Sequence, residues 1–263
     1  MVNTKHKMAE FKLDSNKLQD GIYILSPIND EFESIYLKVR AKENRVYPDE
    51  EVANLPFASS TNPHKKEWYL RAKSFFRLKK YLDKKVNLDI LDLGCGNGWL
   101  SGQLSKTFNF NFYCVDINYT ELKQGCAMFN NGKLKFIYSD IFTSDIPIHT
   151  FDIIILNAAV QYFPDITRLL KRLLTLLNKT GEIHLIDSPF YPEIEVKIAR
   201  ERTVQYYRSL GFPEMVKKYF HHTYDHLLNF HFKILYDPKS LKTKISRLVL
   251  GNDSPFPWII ITK

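Results

Sequence analysis

Cysteine is scarce in this chain of 263 residues: only Cys95, Cys114 and Cys126, an odd number with no C-x-x-C pair. That leaves no disulfide framework and no zinc-ligand spacing, so no metal is expected, and it fits a reducing compartment. Long apolar runs are missing too. No stretch approaches the roughly 20 residues that span a bilayer. The opening MVNTKHKMAEFKLDSNKLQD has no apolar region of the kind a secretion signal carries. A cytoplasmic location and no membrane partner are the expectations. Internal repeats and low-complexity tracts are also lacking.

What is present can build a full core. Hydrophobic residues make up 44% and aromatics 14%, which suits one large α/β domain, or one domain with an N-terminal extension. The net charge of +8 permits nucleic-acid binding without establishing it. In the densest basic stretch, Lys65 to Lys85, apolar residues interrupt the lysines at helical spacing, as on a solvated helix face. From Leu88 onward, apolar segments alternate with helical ones, the pattern of a parallel, doubly wound sheet. Strands are expected at 88–93, 112–116, 134–139, 151–156 and 182–186, and the last two at 232–236 and 258–262. Helices are expected at 31–42, 63–82, 165–177 and 193–209, with 219–231 an aromatic-rich helix or cap and the region around Gly251 loop-like. Residues 1–85 read as a mostly helical cap, and 86–263 as the main domain.

The most informative segment is Leu88–Leu100, LDILDLGCGNGWL, a strand running into a glycine-rich turn that opens a helix. Gly94, Gly96 and Gly98 alternate, with Asp92 two residues ahead. Glycine at such a turn allows positive φ and close approach of a ligand to the backbone. A dinucleotide site would carry G-x-G-x-x-G, but its third glycine position is Trp99 here, which disfavours an NAD-dependent oxidoreductase. The compact G-x-G-x-G after Asp-Leu instead resembles motif I of the class I S-adenosylmethionine (SAM)-dependent methyltransferases of the small-molecule type. The resemblance covers roughly Leu88 to Leu177 and implies a seven-stranded Rossmann-like sheet with helices on both faces.

It also implies roles for residues at four successive strand ends. Gly94, Cys95, Gly96 and Gly98 would approach the methionine part of SAM, and Asp92 would hold the turn or meet the cofactor's ammonium through water. Asp116, followed by Ile117, would accept both ribose hydroxyls, for which a carboxylate has the two oxygens. Asp140 and Ile141 would take the adenine amino group and ring, and Asn157 opens the small-residue floor after the fourth strand. Arg71 sits on a mostly apolar helix face with Phe75, Leu78 and Leu82. It could reach the SAM carboxylate, cap a helix end, or pair with Glu67.

Methyl transfer needs a base only when the nucleophile arrives protonated. The candidates cluster after the fifth strand, with Tyr191, His221 and His222 foremost. No N-P-P-[FY] follows the fourth strand, where Asn157-Ala158-Ala159-Val160 stands, and there is no Pro-Cys pair and no acidic cluster for Mg²⁺. These absences favour a small-molecule acceptor over nucleic acid. An RNA methyltransferase and a SAM-binding protein without turnover remain the alternatives, and the cavity beside the methyl group discriminates: a closed pocket means a metabolite, an open basic groove a polymer. The sequence carries no signal of oligomeric state.

Overall fold

The computed structural model describes residues 11–129 and 131–263. A hairpin of β1 (Leu18–Gln19) and β2 (Ile22–Ile24) comes first, then α1 (Glu31–Lys42), α2 (Asp49–Asn54) and α3 (Lys65–Leu82). The alternating part follows as β3 (Asp89–Leu93), α4 (Trp99–Ser105), β4 (Asn111–Asp116), α5 (Tyr119–Met128), β5 (Leu134–Tyr138), β6 (Phe151–Asn157), α6 (Ile166–Leu176) and β7 (Leu177–Ile186). The chain ends with β8 (Phe190–Tyr191), α7 (Glu193–Leu210), β9 (His222–Thr223), β10 (His231–Tyr236), α8 (Leu241–Leu250) and β11 (Trp258–Thr262).

The main sheet has nine strands in the order β1-β2-β5-β4-β3-β6-β7-β11-β10. Strands β2 to β7 of this sheet run parallel to one another, β1 pairs antiparallel with β2, and β11 inserts antiparallel between β7 and β10. The α/β class and the antiparallel closing pair are as expected; the strand count is two higher. The extra pair is the hairpin β1–β2, whose turn Asp20-Gly21 has φ of +51° and +81°, the geometry that two-residue hairpins favour. The segment before residue 85 is therefore not only helical, since β2 pairs with β5 at the sheet edge. Two local expectations also differ. Residues 219–231 form the short strand β9 and a single turn of helix, and the region before Gly251 holds α8, capped by the Ser240 hydroxyl accepting from the Thr243 amide.

Helices cover both faces, so the inner strands are apolar throughout: β3 is buried at every residue. On α6, Leu169, Leu170, Leu173 and Leu176 are fully buried while Lys171 is exposed. Each such leucine contributes about 1.5–3 kcal/mol on burial. On the other face, Trp99 packs edge-on against Trp68 of α3, ring centroids 5.3 Å apart. The residue that replaces a third glycine thus anchors α3 over α4. Because β4 and β6 flank β3, the chain reverses its direction of travel across the sheet at the carboxyl end of β3, where such sheets bind ligands. No helix among the described residues is long and apolar enough to cross a membrane.

Gly125 of α5 seats that helix against the glycine turn. A Cβ there would collide with the Asn97 carbonyl oxygen and stand 2.7 Å from the Phe136 ring. Alanine gains about 1 kcal/mol in helix propensity, but overpacking backbone costs about 1–3 kcal/mol or more. Gly125→Ala is therefore expected to destabilise by about 1–2 kcal/mol, read from denaturant midpoints; a variant as stable as the parent would show that α5 can slide off the turn.

Candidate active site

The buried strand β3 leaves the sheet through a turn with no room for side chains. Gly94 has φ +71°, and a Cβ on it would stand 2.6 Å from the Ala159 Cβ. Gly98 caps α4 at φ +68°, and a Cβ there would stand 2.7 Å from Phe136. Between them, the Gly96 amide donates to Asp116 Oδ2 at 2.7 Å. The amides of Ile117 and Asn118 donate to Oδ1 of the same carboxylate, at 2.7 and 2.9 Å. Burial raises the Asp116 pKa, against these three amides, which favour the anion.

This carboxylate stands on the wall of a cavity of about 550 Å³, with Gly94, Gly96, Ile117, Asp140 and Ile141 on the same wall. Asp140 is oriented by accepting from the Phe142 amide at 2.9 Å, while its own amide donates to Ser26 Oγ at 3.0 Å. Cys95, Gly98, Asp92 and Asn157 lie outside the lining. Asp92 is buried, accepts from Ser101 Oγ at 2.7 Å, and so ties α4 to β3; burial, with the Asp116 charge adding, pushes its pKa up to about 6.

Some lining residues carry no signal in the sequence. Glu121, in the first turn of α5, faces the glycine turn, and burial and the Asp116 charge push its carboxyl up to about 7. From α1 come Phe32 and Tyr36, packed with Tyr162 in a cluster of ring centroids 5.7–5.9 Å apart. The only available hint for Glu121 was its place three residues after Asn118, which caps α5 by accepting from the Glu121 amide at 3.0 Å.

A second cavity, of about 680 Å³, shares Ala158 and Tyr162 with the first. Its floor follows β6 and β7, where Ala158 and Asp187 take φ of +54° and +51°. Asp187 is buried, and its Oδ1 accepts from Ser74 Oγ at 2.7 Å and Ser254 Oγ at 3.0 Å. Its Oδ2 is buried without a partner among the described residues, and burial raises its pKa. Tyr191, Tyr206, Tyr207 and Tyr219 form an aromatic wall.

Arg71 lines this second cavity and not the first, and of the partners read from the sequence the one it meets is Glu67. Glu67, one turn earlier on α3, captures it through Nε and Nη2 at 3.0 Å. Although burial acts upward, Arg71 and Arg45 hold the Glu67 carboxyl down to about 2. The base candidates separate. Tyr191 lines the second cavity, whereas His221 and His222 line neither of the two. His221 Nε2 is 2.8 Å from Thr203 Oγ1, and His222 Nε2 is 3.2 Å from the Val160 carbonyl; both line a separate cavity of about 440 Å³ with His226. Burial pushes the His222 pKa down to about 4.

The geometry has counterparts among known proteins. Residues 90–181 match the methyltransferase domain family, which supports the resemblance to the class I SAM-dependent methyltransferases. Two curated relatives match part of the chain. The uncharacterized methyltransferase Rv0089 of Mycobacterium tuberculosis is 30% identical over 37% of this chain and 49% of its own length. The malonyl-[acyl-carrier protein] O-methyltransferase of Acetivibrio thermocellus is 31% identical over 38% of this chain and 35% of its own. The chain thus spans at most about half the length of these relatives. In fold, it resembles a geranyl diphosphate methyltransferase solved with SAM, with a TM-score of 0.52, 10% identity, and coverage of 77% of this chain and 91% of that one.

An unfolded glutamate titrates near 4.5, and Glu121 in the fold at about 7. Between these values the native state keeps a proton that the unfolded chain has lost, so stability falls as pH rises through the window. The penalty is complete above pH 7. Glu121→Gln should raise stability by about 1–2 kcal/mol at pH 8 and leave it unchanged below pH 4.5. Urea unfolding at both values checks this; equal effects at both would assign the change to packing.

Proposed function

We propose that this protein is a SAM-dependent methyltransferase acting on a small molecule. The observation that carries the reading is the Asp116 carboxylate, which joins the glycine turn to the end of β4 on the wall of one cavity that meets a second at Ala158 and Tyr162. The residues of the first cavity suit the cofactor. The tight cradle at Gly94 admits a ligand against the backbone, and Asp116 Oδ2, which accepts from a single amide, keeps a lone pair for a ribose hydroxyl, whereas Oδ1 already accepts from two. Ile117 and Ile141 offer apolar surface to a purine, and Asp140 an acceptor for its amino group.

When bound, SAM supplies a methyl group activated by its positively charged sulfur. The protein's part is to bind, align and exclude water. Ala158 and Tyr162 would stand at the passage between cofactor and acceptor. Asp187 Oδ2 would take a hydrogen bond from a protonated acceptor group, and Tyr191 would line its path. The acceptor chamber is walled by α1, α3, α7 and the loop around Ser254, which supports a small molecule over a polymer.

Asp116→Ala should weaken SAM binding by about 2–3 kcal/mol, the scale of hydrogen bonds to a charged group, while NADH should show no specific binding to the parent. Calorimetry on folded protein checks both, and unchanged SAM affinity or micromolar NADH binding would overturn the cofactor assignment. Gly96→Val is a second test. At φ +56° a β-branched residue is strained, and its Cβ would meet Glu121 Oε2 at 3.0 Å and crowd the cofactor. SAM binding should be lost with the far-ultraviolet circular dichroism retained.

A further inference from the structure

The second cavity has more to say about the acceptor than that it is small. Resting on the reading above, we propose that it takes a molecule bearing a carboxylate or phosphate, held by Arg71, Arg202 and Lys66, with a hydrogen-bond donor at its other end that meets Asp187.

Charge is the first ground. Five cationic side chains line this cavity against three carboxylates. The carboxylates are already engaged: Glu43 binds Arg40 and Arg45, Glu67 binds Arg45 and Arg71, and Asp187 holds two serines. Arg202 and Lys66 have no hydrogen bond or ion pair among the described residues. Arg71 uses only Nε and Nη2, both on one Glu67 oxygen, so part of its five-donor fork is uncommitted. A guanidinium with donors to spare suits a carboxylate or phosphate in two-point contact.

Buried acceptors are the second and independent ground. Asp187, only 6% exposed, and Gln161, 7% exposed, both line the cavity, and each has a buried oxygen without a partner among the described residues, Oδ2 and Oε1. Native folds seldom leave such atoms unsatisfied. A ligand with a hydroxyl or amine would satisfy them.

The two ends are sorted by depth. Arg202 and Lys66 are exposed and stand at the mouth, while Asp187 and Gln161 are buried at the floor. Asp187 also directly follows Ile186, whose carbonyl accepts from the Ala158 amide at 2.8 Å, and Ala158 lines the cofactor cavity. The donor end of the ligand is therefore the one beside the cofactor, and the anion points outward. Between them the tyrosine wall favours a flat body.

The test is calorimetric binding of 4-hydroxybenzoate, 4-hydroxyphenyl phosphate and the neutral 4-hydroxybenzamide to the full chain, with and without S-adenosylhomocysteine. At least one anion should bind ten-fold or more tightly than the amide, and which one does separates carboxylate from phosphate. Combined Lys66→Ala and Arg202→Ala, at exposed positions that spare the core, should lower that anion's affinity five-fold or more and leave the amide unchanged. Equal binding of amide and anions, no binding of either anion, or an anion affinity indifferent to the double variant would overturn the proposal. So would a loss of S-adenosylhomocysteine affinity in its place, which would give these cations to the cofactor's own carboxylate. If S-adenosylhomocysteine does not bind the parent at all, the cofactor reading itself fails; if it binds and no anion is preferred, only the acceptor class does.

Discussion

One carboxylate organises the wall of the first cavity. Asp116 accepts from the amides of Gly96, Ile117 and Asn118, so a single side chain clamps the turn after β3 to the turn after β4. Hydrogen bonds to a charged group are each worth about 1.5–3 kcal/mol net, enough to fix two loops that would otherwise be mobile. The neighbouring contacts extend that clamp. Asn118 caps α5, Glu33 of α1 accepts from the amides of Tyr119 and Thr120, and Gly125 lets α5 lie against the turn. The wall of the cavity is set before any ligand arrives, which lowers the ordering cost of binding.

The floor of the second cavity depends on a different constraint, backbone strain. Ala158 and Asp187 hold left-handed conformations at adjacent strand ends, though neither is glycine. Such residues cost of order 1–3 kcal/mol each and persist where the surroundings over-determine them. The Ala158 amide on the Ile186 carbonyl, and the two serine hydroxyls on Asp187, are that surrounding. Ser74 comes from α3 and Ser254 from the loop before β11, so three distant parts of the chain fix one buried carboxyl.

This division explains what could be read in the sequence. The glycine turn, Asp116 and Asp140 were legible because each is tied to a strand end, and strands of continuous apolar residues are conspicuous. Helix α1 was legible to the residue, and α3 nearly so. The hairpin β1–β2 was missed although Asp20-Gly21 is a good turn signal, because its strands of two and three residues show no periodicity. Helix α8 was masked by the Gly251-Asn252-Asp253-Ser254-Pro255 stretch that follows it. For Arg71 the sequence left three partners open, since its apolar helix neighbours suggested burial, and the pairing with Glu67, one turn away, is the one that forms. His221 and His222 drew attention by residue type, yet a histidine's chemistry depends on what surrounds it, and both lie outside the two cavities that meet at Tyr162.

The acceptor side resists sequence reading for a physical reason that the ion pairs make plain. Arg40, Glu43, Arg45, Glu67 and Arg71 form an alternating ladder with contacts of 2.9, 3.4, 2.6 and 3.0 Å, running from α1 to α3. At one end Arg40 donates to the Tyr162 hydroxyl at 2.9 Å, at the junction of the two cavities; at the other, Arg71 lines the second cavity. No single member is diagnostic, because each cation is matched by a carboxylate and looks like an ordinary surface pair. Assembled, the ladder keeps guanidinium groups aligned along a partly buried wall, where screening by salt is weak, and positions Tyr162 from the far side. The helices before residue 85 do more than cover the sheet: through these pairs they set both the junction of the two cavities and the charge of the second.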